Sequence, residues 1–456
     1  MHLGIYNKRM KAHLREFLFL ALTACLAIIA CQPSVAQPET LIQTPVLPSS
    51  KPAEIVPTET PASEATEIHG EPVILDSFGN NSPLCMAEPG TSAFKLTCSG
   101  NELTIGRSES RRKVDIFLFR DLPIQSGSFS LEVEALSTAA QGVKSDQNNY
   151  GYYFVDESGQ YHALRLTAHY FEFETWSMNE EIKVEESTNL TFSPLIKSAG
   201  QSNALRLDCS TSGCDFFANG SLAGRIPVGI NGKVKAIGLF AASGWNQQFG
   251  KVQFKNLQAN TLPDEQNNNQ PYHLEDSLSD SSTIFSGTGL SGAFNRYEAD
   301  GFHFSPVIPY GHYAVKGGPA LGDMSVSATV KMEVESGISG SRYAGVVCRS
   351  SQEGMVMAVI RADGTYTIYR DTSQRPFALL AEKSSAAILP GLVENKLRLD
   401  CIGDQINFYI NDTQVESLTD MRYGLRFGRA GLFTKAGGDP NPDAVVFTNF
   451  SITEVR

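Results

Sequence analysis

Two β-sandwiches in tandem, an all-β fold, are what this sequence predicts, and three observations lead there. Beyond residue 71 no stretch keeps a helical apolar period, while short β-branched and aromatic runs recur between Gly, Asn, Asp and Ser turns. Blocks of sequence return after about 190 residues, the mark of an internal duplication. Inside those blocks apolar and polar residues alternate, as a strand with one buried face requires.

Taken in order, the 456-residue chain opens with Lys8, Arg9, Lys11 and Arg15 and then an apolar run over residues 17–30. That run is too short to span a bilayer, so residues 1–30 read as an export signal. It ends Ile28-Ile29-Ala30-Cys31, which resembles the lipobox of bacterial lipoproteins; the resemblance implies cleavage before Cys31 and lipid attachment to it. Leu22-Thr23-Ala24-Cys25 is a second match and, by motif alone, the better one. Cys31 is preferred because cutting at Cys25 leaves a short apolar core before the cut and an apolar segment, residues 26–30, on the mature protein. Simple secretion is the alternative. Residues 31–71 are rich in Pro, Thr, Ser, Glu and Ala and cannot bury enough surface to offset ordering entropy, so they are expected to form a disordered stalk.

The signal holds four cations against Glu16, so its removal takes the formal charge from −12 to −15. An acidic chain without clustered Lys and Arg is unsuited to nucleic acid. Membrane contact is expected through the N-terminal lipid only.

The duplication sets the domain plan. Asn203-Ala204-Leu205-Arg206-Leu207-Asp208-Cys209 matches Asn395-Lys396-Leu397-Arg398-Leu399-Asp400-Cys401. Phe217-Ala218-Asn219-Gly220 matches Tyr409-Ile410-Asn411-Asp412, a hairpin-turn signal in both copies. Gly238-Leu239-Phe240 matches Gly431-Leu432-Phe433, and Phe254-Lys255-Asn256-Leu257 matches Phe447-Thr448-Asn449-Phe450. Residues 72–259 and 276–456 then form the two sandwiches, with residues 260–275, including Pro263, Pro271 and an Asn run, as linker.

A strand beginning Ser128-Phe129-Ser130-Leu131, a Gly151-Tyr152-Tyr153-Phe154 strand, the Asn-x-Leu-Arg-Leu strands, Gly-Leu-Phe and the closing Phe-x-Asn together resemble the concanavalin A-like lectin and glucanase sandwich, in its laminin-G-like version. The resemblance implies a jelly-roll fold and, through its loops and concave sheet, a surface suited to polysaccharide. Its motifs are structural and imply no activity.

Six cysteines lie beyond the signal, an even number that implies disulfides in an exported chain. Cys209 and Cys214 flank a turn and fall opposite each other in a hairpin. In the second copy Ile406 takes the partner position, so Cys401 is expected to reach Cys348 on a neighbouring strand, where the first copy has Phe154. Cys85 and Cys98 remain as the third pair.

Catalytic patterns are absent from the sequence. Glu132-x-Glu134 and Glu172-x-Glu174 lack the acid spacing of sandwich glucanases and are read as solvated strand faces, with Ala328 and Val330, or Tyr366 and Ile368, at nearby or matching positions in the second copy. No metal-binding or cofactor motif appears, and a polar loop at Asp146, Asn148 and Asn149 reads as an ordinary turn rather than a calcium site. Ligand binding is expected instead from Trp245 and Asn246 in a Gly-flanked loop, where an indole stacks on a sugar ring and an amide bonds hydroxyls, and from Trp176 with Tyr170; core packing is the competing role for Trp176. Both tryptophans lie in the first copy, and its stretch with Tyr150, Tyr152, Tyr153, Tyr161 and Tyr170 is aromatic where the matching stretch of the second reads Tyr343, Val346, Val347, Met355 and Gly364, so a sugar site is expected there. Glycan binding is the leading functional expectation, a protein-binding adhesion or assembly module the second, and glycoside hydrolysis the third.

Overall fold

The computed structural model describes residues 72–76, 78, 94–107, 116–118, 122–140, 148–178, 182–227, 230, 232–242, 249–262, 270–279, 293–306, 312–332, 342–420, 425–436 and 445–456. The signal, Cys31 and the stalk lie outside them. All described residues fall in one compact unit spanning Pro61–Arg456, and among them every regular element is a strand.

Two hydrophobic cores organise the strands. Around the first, a back sheet runs in the order Phe94–Ser99, Glu102–Arg107, Lys251–Thr261, Phe129–Thr138, Ser202–Ser210, Gly213–Ala218 and Ser221–Ile226. A front sheet faces it, ordered Ile182–Ser187, Tyr170–Met178, Tyr161–Thr167, Asn149–Val155, Val234–Ala242 and Ile116–Leu118. Leu131, Val133, Leu205 and Leu207 from the back meet Tyr150, Tyr152, Phe154, Leu164 and Phe173 from the front in one buried cluster. Alternation decides this: each strand sends every second side chain inward, and those are the apolar ones.

The same order recurs around the second core. Its back sheet runs Ala293–Glu298, Gly301–Pro306, Val445–Glu454, Met324–Met332, Asn395–Ile402, Gln405–Ile410 and Thr413–Thr419. Its front sheet runs His312–Leu321, Gly428–Lys435, Tyr343–Ser350, Gly354–Arg361, Thr365–Thr372 and Ala378–Ser384.

Duplication reaches individual hydrogen bonds. Asn219 and Asn411 both adopt positive φ, 53° and 49°, followed by Gly220 and Asp412 at 85° and 64°, the type I′ turn that matches strand twist. Each Asn donates Nδ2 to the carbonyl of a residue in the loop before the central strand, Leu195 at 2.7 Å and Ala387 at 2.8 Å, and to Asn203 or Asn395 at 3.0 Å. Ser130 and Ser325 each donate to the strand aspartate, Asp208 or Asp400, at 2.6 Å. The duplication extends to one further block, Asp76-Ser77-Phe78 and Asp276-Ser277-Leu278, which puts Phe78 and Leu278 at positive φ, 57° and 58°, fully buried.

Cys209 and Cys214 are bonded and sit directly opposite in their hairpin. Cys348 and Cys401 are bonded too, with one correction to the sequence expectation. Cys348 belongs to the front sheet and Cys401 to the back, so the bridge crosses the core between sheets and does not join neighbouring strands. Both side chains point inward from facing sheets, which brings them together without any shared ladder. Cys98 is disulfide-bonded; Cys85 lies outside the described residues.

The two sandwiches share a seam. Ser221–Ile226, at the edge of the first back sheet, pairs in parallel with His312–Leu321, at the edge of the second front sheet, through Gly224 and Ala320. The result is a continuous 14-stranded sheet. Arg225 crosses the seam, its Nη1 donating to Glu454 at 2.7 Å while Nε and Nη2 hold Asp215.

Candidate functional site

The face of the first front sheet turned away from the core carries the most unusual chemistry among the described residues. Phe171 and Phe173 point into the core, so Tyr170, Glu172, Glu174 and Trp176 line the opposite, outer face of the same strand. On the neighbouring strand Leu164 and Leu166 are core residues, which places Tyr161, Ala163, Arg165 and Thr167 outward. Tyr153 and Phe240 join them from the next two strands.

Arg165 is the hub. Its Nη2 pairs with the Glu172 carboxylate. Its Nε lies 2.9 Å from Glu174 Oε1, an ion-pair contact with the N–H not aimed for a hydrogen bond. Nη1 donates to Asn149 Oδ1 at 3.2 Å. Glu174 Oε2 in turn accepts from the Trp176 indole Nε1 at 2.7 Å, and the indole packs edge-on against Phe240. Gly151 makes this possible: a Cβ there would meet the Leu164 carbonyl oxygen at 1.9 Å and the Phe240 ring at 3.2 Å.

The solvated strand face expected for Glu172 and Glu174 is therefore corrected. They are 5% and 6% exposed and fully engaged. Their second-copy positions are also one residue away from those inferred by sequence. Gly151 pairs with Phe240 and Gly345 with Phe433, so the ladders place Thr367 and Tyr369 opposite the equivalents of Arg165 and Ala163. Tyr366 and Ile368 face the core instead. The same slip holds for Glu132 and Glu134, whose counterparts are Ser327 and Thr329, not the core residues Ala328 and Val330.

Of the residues expected to bind ligand, Trp176 and Tyr170 share this outer face. Trp176 is 1% exposed, held by Glu174 and Phe240. Tyr170 is half-buried at the open end, its ring edge-on to Phe192, which is 38% exposed, with the His169 ring beside Phe192. Trp245 and Asn246 lie outside the described residues. Arg165 and Glu172 were missed as ligand-site residues. The signal was available: in Tyr-Phe-Glu-Phe-Glu-Thr-Trp every outward position is polar or aromatic, which a merely solvated face does not need.

Asn148 is structural, with Nδ2 donating to Ser137 Oγ and the Thr138 carbonyl and Oδ1 accepting from Gly250 N–H. Elsewhere among the described residues Glu298, Asp300 and His303 bring potential metal ligands within 4.8 Å of one another. His303 Nε2 bonds Asp300 at 2.9 Å, and that bond holds the Asp300 carboxyl below its ordinary value, so an ion-paired hairpin accounts for the group.

The chain matches no protein-family model and no curated protein. Among solved structures it is similar to the carbohydrate-binding module CBM66 of Bacillus subtilis, at 14% identity over 36% of this chain and 98% of that one, with a TM-score of 0.29. A Bacillus subtilis protein with a galectin-like fold is 13% identical over 40% of this chain and 94% of its own, TM-score 0.32. The Crh5 transglycosylase is 12% identical over 40% of this chain and 85% of its own, TM-score 0.31.

Proposed function

We propose that this protein is a non-catalytic glycan-binding protein of the cell envelope, tethered by lipid on Cys31, and that it takes sugar on the outer face of the first front sheet. One observation carries the reading: the Arg165–Glu172–Glu174–Trp176 cluster is built in the first copy and not in the second. There the equivalent positions are Val359, Thr367, Tyr369 and Asp371. A buried ion-pair cluster rarely stabilises more than well-packed apolar residues of similar volume, and the second copy folds the same sheet without it. Recognition of a hydroxyl-rich ligand is the use that fits, with the partly exposed Arg165 guanidinium, held in place by Glu172 and Glu174, meeting hydroxyls and the Tyr170 and Phe192 rings offering an apolar platform at the accessible end.

Binding rather than hydrolysis is proposed because both carboxylates already share one guanidinium and stand two residues apart on one strand. A protein-binding role has its own support, the exposed Leu389, Leu392 and Val393 at a loop tip of the second sandwich, exposed by 44%, 67% and 46%.

Polysaccharide pull-down and calorimetry with the mature chain test the proposal. Tyr170→Ala should weaken binding about tenfold, and Arg165→Met more, with the Tyr170→Ala thermal midpoint within about 2 °C of the parent since a half-buried ring adds little to the core. Wild-type chain that retains no glycan, binding unchanged in both variants, or release of new reducing ends would overturn it.

A further inference from the structure

The outer face of the second front sheet holds a buried cation with no counter-charge among the described residues. Ala430 and Leu432 are core residues, so Arg429 and Gly431 face outward. Arg429 is 6% exposed. Its Nε donates to the Gly318 carbonyl at 2.9 Å, and the two Nη groups of the guanidinium fork have no hydrogen-bond partner among the described residues.

Two neighbours share that face. Lys316 lies opposite Gly431, a diagonal neighbour of Arg429, and makes no ion pair or hydrogen bond among the described residues. Ser350 lies directly opposite Arg429, 2% exposed, with a buried Oγ that has no hydrogen-bond partner. Asp371, the acid whose field reaches Lys316, spends Oδ1 on the Phe377 N–H at 3.1 Å. The group sits beside the seam: two residues past Ser350, Gln352 N–H donates to the Leu190 carbonyl of the first sandwich at 2.8 Å.

A guanidinium taken out of water needs an anion, and its planar fork suits a carboxylate or sulfate oxygen pair. Burial alone pushes Arg429 down to about 10, with no acid opposing it, and burial followed by Arg429 lowers Lys316. Burial disfavours the charge on both groups, and a bound anion offsets that cost.

We infer that Arg429, Lys316 and Ser350 form an anion-binding site that takes the carboxylate or sulfate group of an acidic polysaccharide. Two cations hold the charge and the serine hydroxyl donates the third hydrogen bond. That a polysaccharide carries the anion rests on the glycan-binding reading; the anion site itself does not. The overall negative charge of the chain is no bar, since exposed charges farther than about 10 Å are screened at ordinary salt.

Thermal midpoints of the mature chain in sodium sulfate, sodium galacturonate and sodium chloride at matched ionic strength test the site, and retention on polygalacturonate against its neutral methyl ester tests the ligand. The expected result is a midpoint rise of several degrees with sulfate or galacturonate beyond chloride, lost in Arg429→Gln and reduced in Lys316→Gln, and at least about tenfold stronger retention of the acidic polymer. Arg429→Gln without anion should be no less stable than the parent, as an unpaired buried charge is removed. If the Gly318 bond makes that variant unstable, the Lys316→Gln response decides. No rise beyond chloride, or an equal rise in both variants, overturns the site. A rise that depends on Arg429 with no polysaccharide retained leaves the anion site and removes the glycan reading; retention of neutral glycan with no anion response does the reverse.

Discussion

Asp208 shows how one repeated residue acquires its own chemistry. Burial pushes its carboxyl up to about 6 from 3.8, helped by Asp215 and Glu132 and opposed by Arg206 and by the Ser130 hydroxyl. Because the folded value lies above the unfolded one, the folded state favours the proton. The stabilisation from that proton is complete below about pH 4 and is lost as pH rises through about 6. The move from 3.8 to about 6 bounds the loss at about 3 kcal/mol. Asp208→Asn keeps an oxygen for Ser130 and cannot ionise. Its stability relative to the parent should therefore improve by about 1–3 kcal/mol between pH 4 and pH 8, read from urea unfolding at both ends. A gap that does not change with pH would show that Arg206 neutralises the carboxylate throughout.

Elements differ in what holds them. Cys348–Cys401 closes 53 residues and staples front sheet to back, whereas Cys209–Cys214 closes 5 within a hairpin already paired by its ladder. Loop-closure entropy then assigns about 4 kcal/mol to the first bridge and about 2 kcal/mol to the second. Double alanine variants compared by urea midpoint should fall in that order, and equal losses would point to packing rather than chain entropy. Strand existence, the repeat and the Cys209–Cys214 pairing were all legible in the sequence, since each depends on local alternation and turn chemistry. Register between distant strands was not. A one-residue slip exchanges faces, which moved the counterparts of Glu172 and Glu174 from Thr367 and Tyr369 to core residues and hid the cluster centred on Arg165. The inter-sheet course of Cys348–Cys401 escaped for the same reason, because sequence does not say which sheet a strand joins.

At the scale of the whole molecule, two equivalent edge strands meet different fates. Ser221–Ile226 carries Leu222, Ala223 and Gly224 and is covered at the seam; its counterpart Thr413–Thr419 has Glu416 where the first has Gly224 and ends its sheet as a polar edge. Polar, charged residues on the free edge resist further pairing, and small ones on the other permit it. Gly224 is the critical point. A Cβ there would meet Phe171 at 2.8 Å and Phe427 at 3.3 Å, and both rings are buried, one from each sandwich. Those rings pack edge-on across the seam, so neither has room to yield. With the Arg225–Glu454 bond beside them, the seam should make the sandwiches unfold together, as a single calorimetric transition. Gly224→Val forces the rings apart at an overpacking cost of about 1–3 kcal/mol, while each core keeps its own apolar contacts. The expected outcome is a transition that splits in two, the lower one at reduced temperature. Arg225→Met, which frees partly exposed Asp215 and Glu454, should lower the midpoint by a smaller amount without splitting it. One unsplit transition at the parent temperature in Gly224→Val would mean that the sandwiches are coupled elsewhere than through this strand pair.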